Sequence, residues 1–365
     1  MTQYVGTSRH VHGQPARVGV LLVNLGTPDA PDTASVRRYL AEFLWDPRVI
    51  EAPRAFWWLV LHGIILRTRP KRSAHAYSKI WTPEGSPLMV ESRRLTEGLA
   101  STLAGRHGDS VRVELAMTYG NPSIRSALAR LRDANVQRLL VLPMYPQYSA
   151  TTTASIFDRV TAELGHWRWI PEVRFVNQYF EDEQYVAAVA AGVEQHWRER
   201  GRKHLLFSFH SIPKRYFMAG DPYHCQCMAT ARLVAAKLGL ADGEWSVGFQ
   251  SRFGREEWLK PYVDVLLQDY SHQGPKQVTV VCPGFATDCL ETLEEISMQN
   301  REMFLSHGGE AFDYAPCLNA SPAHVALYAG LFERHVQGWP GLDGRDDSAE
   351  REAARQRALS LGAPA

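Results

Sequence analysis

A chain of 365 residues, 45% hydrophobic and 22% charged, has the makeup of a soluble globular enzyme and the length of two ordinary domains. A formal net charge of +1 supplies no field for nucleic acid or other polyanions, and no apolar run approaches the roughly 20 residues of a membrane-spanning helix. Five cysteines, an odd and scattered set, exclude a disulfide framework.

Residues 1–17 are polar, lack a secretory signal and read as a loose tail, which makes the cytoplasm the expected compartment. Residues 18–24 (V-G-V-L-L-V-N) are a continuous apolar run closed by L-G-T-P, the pattern of a buried parallel strand and its turn. Gly26 stands alone, so the turn is no dinucleotide fingerprint. Residues 32–42 read as helix. From Phe56 to Leu66 the chain is apolar on nearly every side, and Arg67, Arg69, Lys71 and Arg72 follow at once. Such a helix is either buried or laid against something apolar, here a flat hydrophobic ligand or a membrane surface. Residues 77–89, with Pro83, Gly85 and Pro87, read as a loop. Helix over 91–103, strand over 112–119, helix over 124–133, strand over 137–143 and helix over 151–164 follow, then a strand and crossover in 167–179.

The second half reads as helix 181–200, strand 204–209 ending in H-S-I-P, helix 229–238, strand 245–250, helix 257–268 and strand 278–282. A final helix occupies 321–337, and 338–365 reads as a charged tail or weak helix. Residues 18–24 match 203–209, 113–119 match 245–250, and 139–149 match 278–288, which points to a duplicated unit. The expected fold is α/β, with two Rossmann-like, doubly wound parallel sheets facing a central cleft. The expected units are 1–17 (tail), 18–175 (first domain, with an insertion over about 27–90), 176–316 (second domain), 317–337 (a helix packing back) and 338–365 (tail). Ligands of such sheets sit beyond the carboxyl ends of the strands, where Asn24, Tyr119, Tyr145, His210, Ser251 and Asp288 fall.

Residues 281–298 read V-C-P-G-F-A-T-D-C-L-E-T-L-E-E-I-S-M. At helical spacing Asp288, Glu291 and Glu295 share one face, although like charges four apart cost a helix stability. Asp288 with Glu291 equally fits a capping pair. His210, in S-F-H-S-I-P, stands at the end of a strand and faces this acidic face across the expected cleft. An imidazole and carboxylates so placed can bind a divalent metal with open positions, act as base and acid, or serve a nucleophile. The last is disfavoured because no G-x-S-x-G elbow is present. Cys225 and Cys227 form a C-x-C pair, half of a metal or cluster site at most.

The strings V-N-L-G-T-P (23–28), Y-P-Q-Y-S (145–149), S-F-H-S-I-P (208–213), F-Q-S-R-F-G (249–254) and P-G-F-A-T-D-C-L-E-T-L-E-E (283–295) closely resemble ferrochelatase, and the likeness runs from about 18 to 332. The resemblance implies two Rossmann-like domains around a cleft and insertion of Fe2+, as substrate, into protoporphyrin IX, giving protohaem and two protons. By motif position it implies that His210 and Glu291 are catalytic and metal-binding, and that Asp288 and Glu295 form a proton or metal path. It implies porphyrin contact for Leu25, Tyr145, Phe249, Trp258 and Phe285, and an active-site lip for Phe56 to Leu66, the segment whose apolarity also allows a peripheral contact with the inner face of the membrane. Arg37, Arg38, Arg72 and Lys79 are candidates for the propionates. Cys289 stands where several relatives carry His. No cysteine follows Cys317, and Ala150 stands where animal members place a cluster ligand, so a [2Fe-2S] cluster is not expected; a different cluster on Cys225 and Cys227 is the minor alternative. No nucleic-acid partner is expected, and the chain is expected as monomer or homodimer. Rival readings are a chelatase for coproporphyrin or another tetrapyrrole, and a haem or porphyrin carrier that binds without reacting.

Overall fold

Uninterrupted runs of Val, Leu and Phe make strands that must be covered on both faces, and two four-stranded parallel sheets result. The computed structural model describes residues 4–6, 11–254, 256–342 and 348–363. Parts of both expected tails, 1–3, 7–10, 343–347 and 364–365, lie outside the described residues. The first sheet holds β1 (Arg17–Asn24), β2 (Val111–Met117), β3 (Val136–Pro143) and β4 (Glu172–Phe175) in the order β2-β1-β3-β4. The second holds β5 (His204–His210), β6 (Trp245–Gln250), β7 (Gln277–Val281) and β8 (Ala311–Ala315) in the order β6-β5-β7-β8. The orders are the same, so each sheet reverses its winding beside its first strand: between β1 and β3, and between β5 and β7. Ligand crevices of doubly wound sheets open at this reversal.

The helices are α1 (Thr33–Trp45), α2 (Arg54–Val60), α3 (Leu66–Ile80), α4 (Pro87–His107), α5 (Ile124–Asp133), α6 (Ser155–Leu164), α7 (Glu183–Arg200), α8 (Lys214–Met218), α9 (Tyr223–Lys237), α10 (Val263–Gln273), α11 (Arg301–Ser306), α12 (Pro322–His335) and α13 (Ser348–Ser360). One core runs between the sheets: Val20 and Leu22 of β1, Phe207 and Phe209 of β5, and the buried stripes of α4, α7, α9 and α12. Each large apolar side chain buried there contributes about 1.5–3 kcal/mol over leaving it in water. The outer faces are covered separately, the first sheet by α5 and α6 and the second by α10 and α11.

Several elements differ from expectation for identifiable reasons. The loop expected over 77–89 is shorter: α3 runs on to Ile80, because Ala74, Tyr77 and Ile80 repeat at helical spacing and are buried. The helix expected over 257–268 begins instead at Val263, because Pro261 blocks a helix that runs through it. Strand β8 (A-F-D-Y-A) was not foreseen; it is short, and its Asp313 is neutralised by Lys203. The greasy segment is neither wholly buried nor wholly exposed. Trp57, Leu61 and Ile65 pack on Leu44 and Leu66, whereas Phe56 (62% exposed), Trp58, Leu59 and Ile64 face outward. In the last stretch, residues 348–360 form α13, which buries no side chain.

Candidate active site

His210 is the final residue of β5, so the strand end delivers its ring to the crevice at the winding reversal. The ring Nδ1–H donates to the carbonyl of Ser211 at 2.6 Å, which leaves the Nε2 lone pair as the free acceptor. The turn behind it is held by backbone pairing of Pro213 with Trp258 and by Leu259 N–H donating to the Ile212 carbonyl at 3.0 Å. Trp258 is thereby fixed to the turn that follows His210, its indole N–H donating to the Phe253 carbonyl at 2.8 Å. Arg69 of α3 lies 4.7 Å over the Phe253 ring, so the lip reaches the second half here.

The acidic segment is not an α-helix. Residues Glu291–Asn300 form a π-helix, whose wider i→i+5 turn is uncommon and recurs at functional sites. Asp288 precedes it and takes no part in its face. Its carboxylate accepts from Thr292 Oγ1 (3.1 Å), Tyr314 OH, the Cys317 N–H (3.4 Å) and Asn319 Nδ2 (2.7 Å). Four donors on one buried carboxylate make Asp288 a knot that holds the turn after β7. Glu295 is different. Burial pushes its carboxyl above the usual range; the Ser251 hydroxyl, which donates to it, and the nearby His210 pull it back, and Glu291 pushes it up again. His210, Glu291 and Glu295 thus meet in one electrostatic cluster.

The facing wall comes from the first half. Burial raises the phenols of Tyr39, Tyr77 and Tyr145 well above their ordinary value, and the charge of Glu291 adds to this in all three. These rings therefore stay neutral, within range of the charge of Glu291. Leu25 and Tyr145 follow β1 and β3, at the reversal of the first sheet. The loop after β3 is fixed to the second half: Gln147 Nε2 donates to Thr230 Oγ1 at 2.9 Å, Tyr148 N–H to Gln226 Oε1 at 2.7 Å, and Ser149 Oγ to Asp221 at 2.9 Å. Asn24, ending β1, donates to Ser92 (3.0 Å) and to Thr287 (3.2 Å), so the two strand ends are joined across the crevice.

Other expected site residues fall elsewhere. Phe249 is 1% exposed and lies under the site, its ring stacked on His224 at 5.5 Å. Its side chain lies on the opposite face of β6 from that of Gln250 and joins the core between the sheets. Phe285 lines a small cavity of about 20 Å³ with Pro146, Tyr185, Cys282, Cys317 and His324. Lys79 is ion-paired with the buried Glu294 at 2.8 Å, and Arg38 faces Asp29 at 3.7 Å, so both already have partners. Cys225 and Cys227 are two apart on α9, about 200° around the helix. One thiol is exposed and the other is in the core, so they do not converge on one ion. Among the described residues, no three His, Cys, Asp or Glu side chains form a ready cage for a metal. An imidazole with carboxylates in an open crevice suits a metal that passes through.

Two parallel sheets meeting at their winding reversals around this cluster define a chelatase-type α/β enzyme. A sirohydrochlorin chelatase, SirB, from Bacillus subtilis subspecies spizizenii in complex with cobalt shares the fold at 12% identity and a TM-score of 0.51, over 92% of this chain and 97% of that one. The ferrochelatase family model matches residues 17–336. Ferrochelatases of Thioalkalivibrio sulfidiphilus and Nitrosococcus oceani are 54% and 53% identical, each over 99% of both chains. The chain belongs to the ferrochelatase family.

Proposed function

We propose that this enzyme inserts Fe2+ into protoporphyrin IX to give protohaem, and that His210, Glu291 and Glu295 carry the chemistry. The observation that supports this most directly is the geometry at the end of β6, where Gln250 pairs in register with His210 and donates to the Glu291 carbonyl while Ser251 donates to Glu295. A porphyrin must lose two pyrrole protons as the metal enters. Nε2 of His210, with Nδ1–H tied to Ser211, is the acceptor. Glu295, its affinity for a proton raised by burial, takes protons onward from the crevice, and Glu291 faces the incoming metal. Asp288 supports this row from behind. Leu25, Tyr145 and Trp258 flank the macrocycle, while Phe249 and Phe285 back those walls. No [2Fe-2S] centre enters the proposal.

The outward face of Phe56, Trp58, Leu59 and Ile64 supports a peripheral membrane contact at the inner surface, in keeping with an apolar substrate and product. Among the described residues no helix is long and apolar enough to cross a membrane. Metallation of protoporphyrin and of coproporphyrin by Fe2+, followed anaerobically as loss of porphyrin fluorescence, tests the proposal. Preferred turnover of protoporphyrin is expected. Preference for coproporphyrin would move the substrate to the rival reading, and porphyrin binding without turnover would make the chain a carrier.

A further inference from the structure

Gln250 ends β6 and is 3% exposed. In the parallel register it lies beside His210, and its carbonyl accepts the Ser211 N–H at 2.7 Å. The orientation of its amide follows from its partners. One end faces the Glu291 carbonyl at 3.0 Å, which only accepts, so Nε2 donates there. The other end, Oε1, accepts from Ser208 Oγ at 2.6 Å, with the Cys282 thiol at 3.7 Å. Ser208 lies on β5 two residues before His210 and on the same face; Cys282 follows β7. One buried side chain thus touches the strand that carries His210, the strand that leads to the acidic turn, and the opening carbonyl of the π-helix. The next residue continues the contact: Ser251, in the left-handed region at φ 61°, donates its hydroxyl to Glu295.

We infer that Gln250 is a positioning residue for the metallation step, setting the separation of His210 from Glu291. The inference rests on the proposed roles of those two residues. The physical reason is the π-helix itself. The carbonyl of Glu291, in its first turn, takes a donor from outside the helix, the Gln250 amide, and a side chain inserted into the backbone ladder in this way favours a local departure from α geometry. Without that donor the first turn is free to settle toward ordinary α geometry, which re-aims Glu291 relative to His210. Gln250 touches neither the porphyrin nor the metal in this arrangement; it acts through the backbone of Glu291.

The test uses the full-length protein with Gln250→Met, Gln250→Glu and Ser208→Ala, each checked for melting temperature. In Gln250→Met, kcat falls about 10–100-fold per folded molecule, while KM for the porphyrin stays within about twofold. Ser208→Ala gives a smaller loss of the same kind. Gln250→Glu places an ionisable oxygen against the Glu291 carbonyl, where burial and nearby carboxylates favour its protonated, donating form at lower pH. Its rate relative to wild type therefore recovers as pH falls, whereas the Gln250→Met ratio is flat with pH. An active wild type with Gln250→Met within about threefold in kcat, or a loss that only tracks a fallen melting temperature, overturns the inference alone. A wild type that metallates no porphyrin overturns the reading beneath it.

Discussion

The two sheets have the same strand order and the same reversal point, yet their mouths carry different chemistry. Beyond β1 and β3 stand Leu25 and Tyr145; beyond β5 and β7, at the equivalent places, stand His210 and the turn leading to Glu291. In the first half the reversal ends in an apolar and a phenolic side chain, with tyrosines and a greasy lip around them. In the second it ends in an imidazole and a row of acids on a π-helix. On the proposed roles, one strand order used twice is divided into a wall that holds and a wall that reacts, and the division lies in the residues at and after the strand ends.

The strongest way to break this division is His210→Ala. Metallation is expected to fall about 100-fold or more while porphyrin affinity, measured by quenching of protein fluorescence, changes less than about threefold. A loss of affinity as large as the loss of rate would show that the second wall also holds.

Acid stability is the next contrast. His324 is buried in the second half behind the Asp288 knot, its Nδ1–H donating to the Asn319 carbonyl at 2.6 Å. Burial pushes it down to about 4 from 6.5. Between those values the unfolded chain binds the extra proton and the folded chain does not. The stability tied to its neutral ring is present above about pH 6.5 and lost toward pH 4, on the order of 3 kcal/mol. His324→Gln is expected to flatten the fall of melting temperature over that window; an unchanged slope would remove His324 as its source.

A smaller effect separates the walls from the other side. Leu25→Ala should raise KM for the porphyrin about 3–10-fold with little change in kcat, as loss of apolar contact common to ground and transition states requires. A fall in kcat alone would place reactivity on the first wall. The least effect is Glu295→Gln. The folded pKa is raised, so the folded chain holds more protons than the unfolded one just above pH 4.5, and stability declines as pH rises through the raised value. Removing the charge should raise the neutral-pH melting temperature by on the order of 2 °C and slow turnover. A lower melting temperature would show that the Ser251 hydrogen bond outweighs the burial.

What the sequence made legible follows the same line. Strands β1, β3, β5 and β7 announce themselves because a strand covered on both faces needs an unbroken apolar run. The place of His210 at a strand end was legible because an apolar run stops there. The π-helix was not: its acids also fit α spacing, and its contacts with Gln250, Ser251 and Lys79 come from elsewhere in the chain. Gln250 was missed although it also ends a strand, because an amide signals no chemistry of its own. Phe249, one residue earlier, was expected to contact porphyrin, yet its ring is 1% exposed and stacks on His224. The Lys79 ion pair was hidden because a lysine after a greasy helix looks like solvent-facing charge.

That ion pair has a mechanical meaning. Lys79 ends the lip helix, and Glu294 sits within the first turn of the π-helix. Drawing one π turn tight to α geometry winds the following residues round by about one position, roughly 100°. Any such tightening would carry Glu294 with it, and the tie to Lys79, made across 215 residues of chain, opposes it.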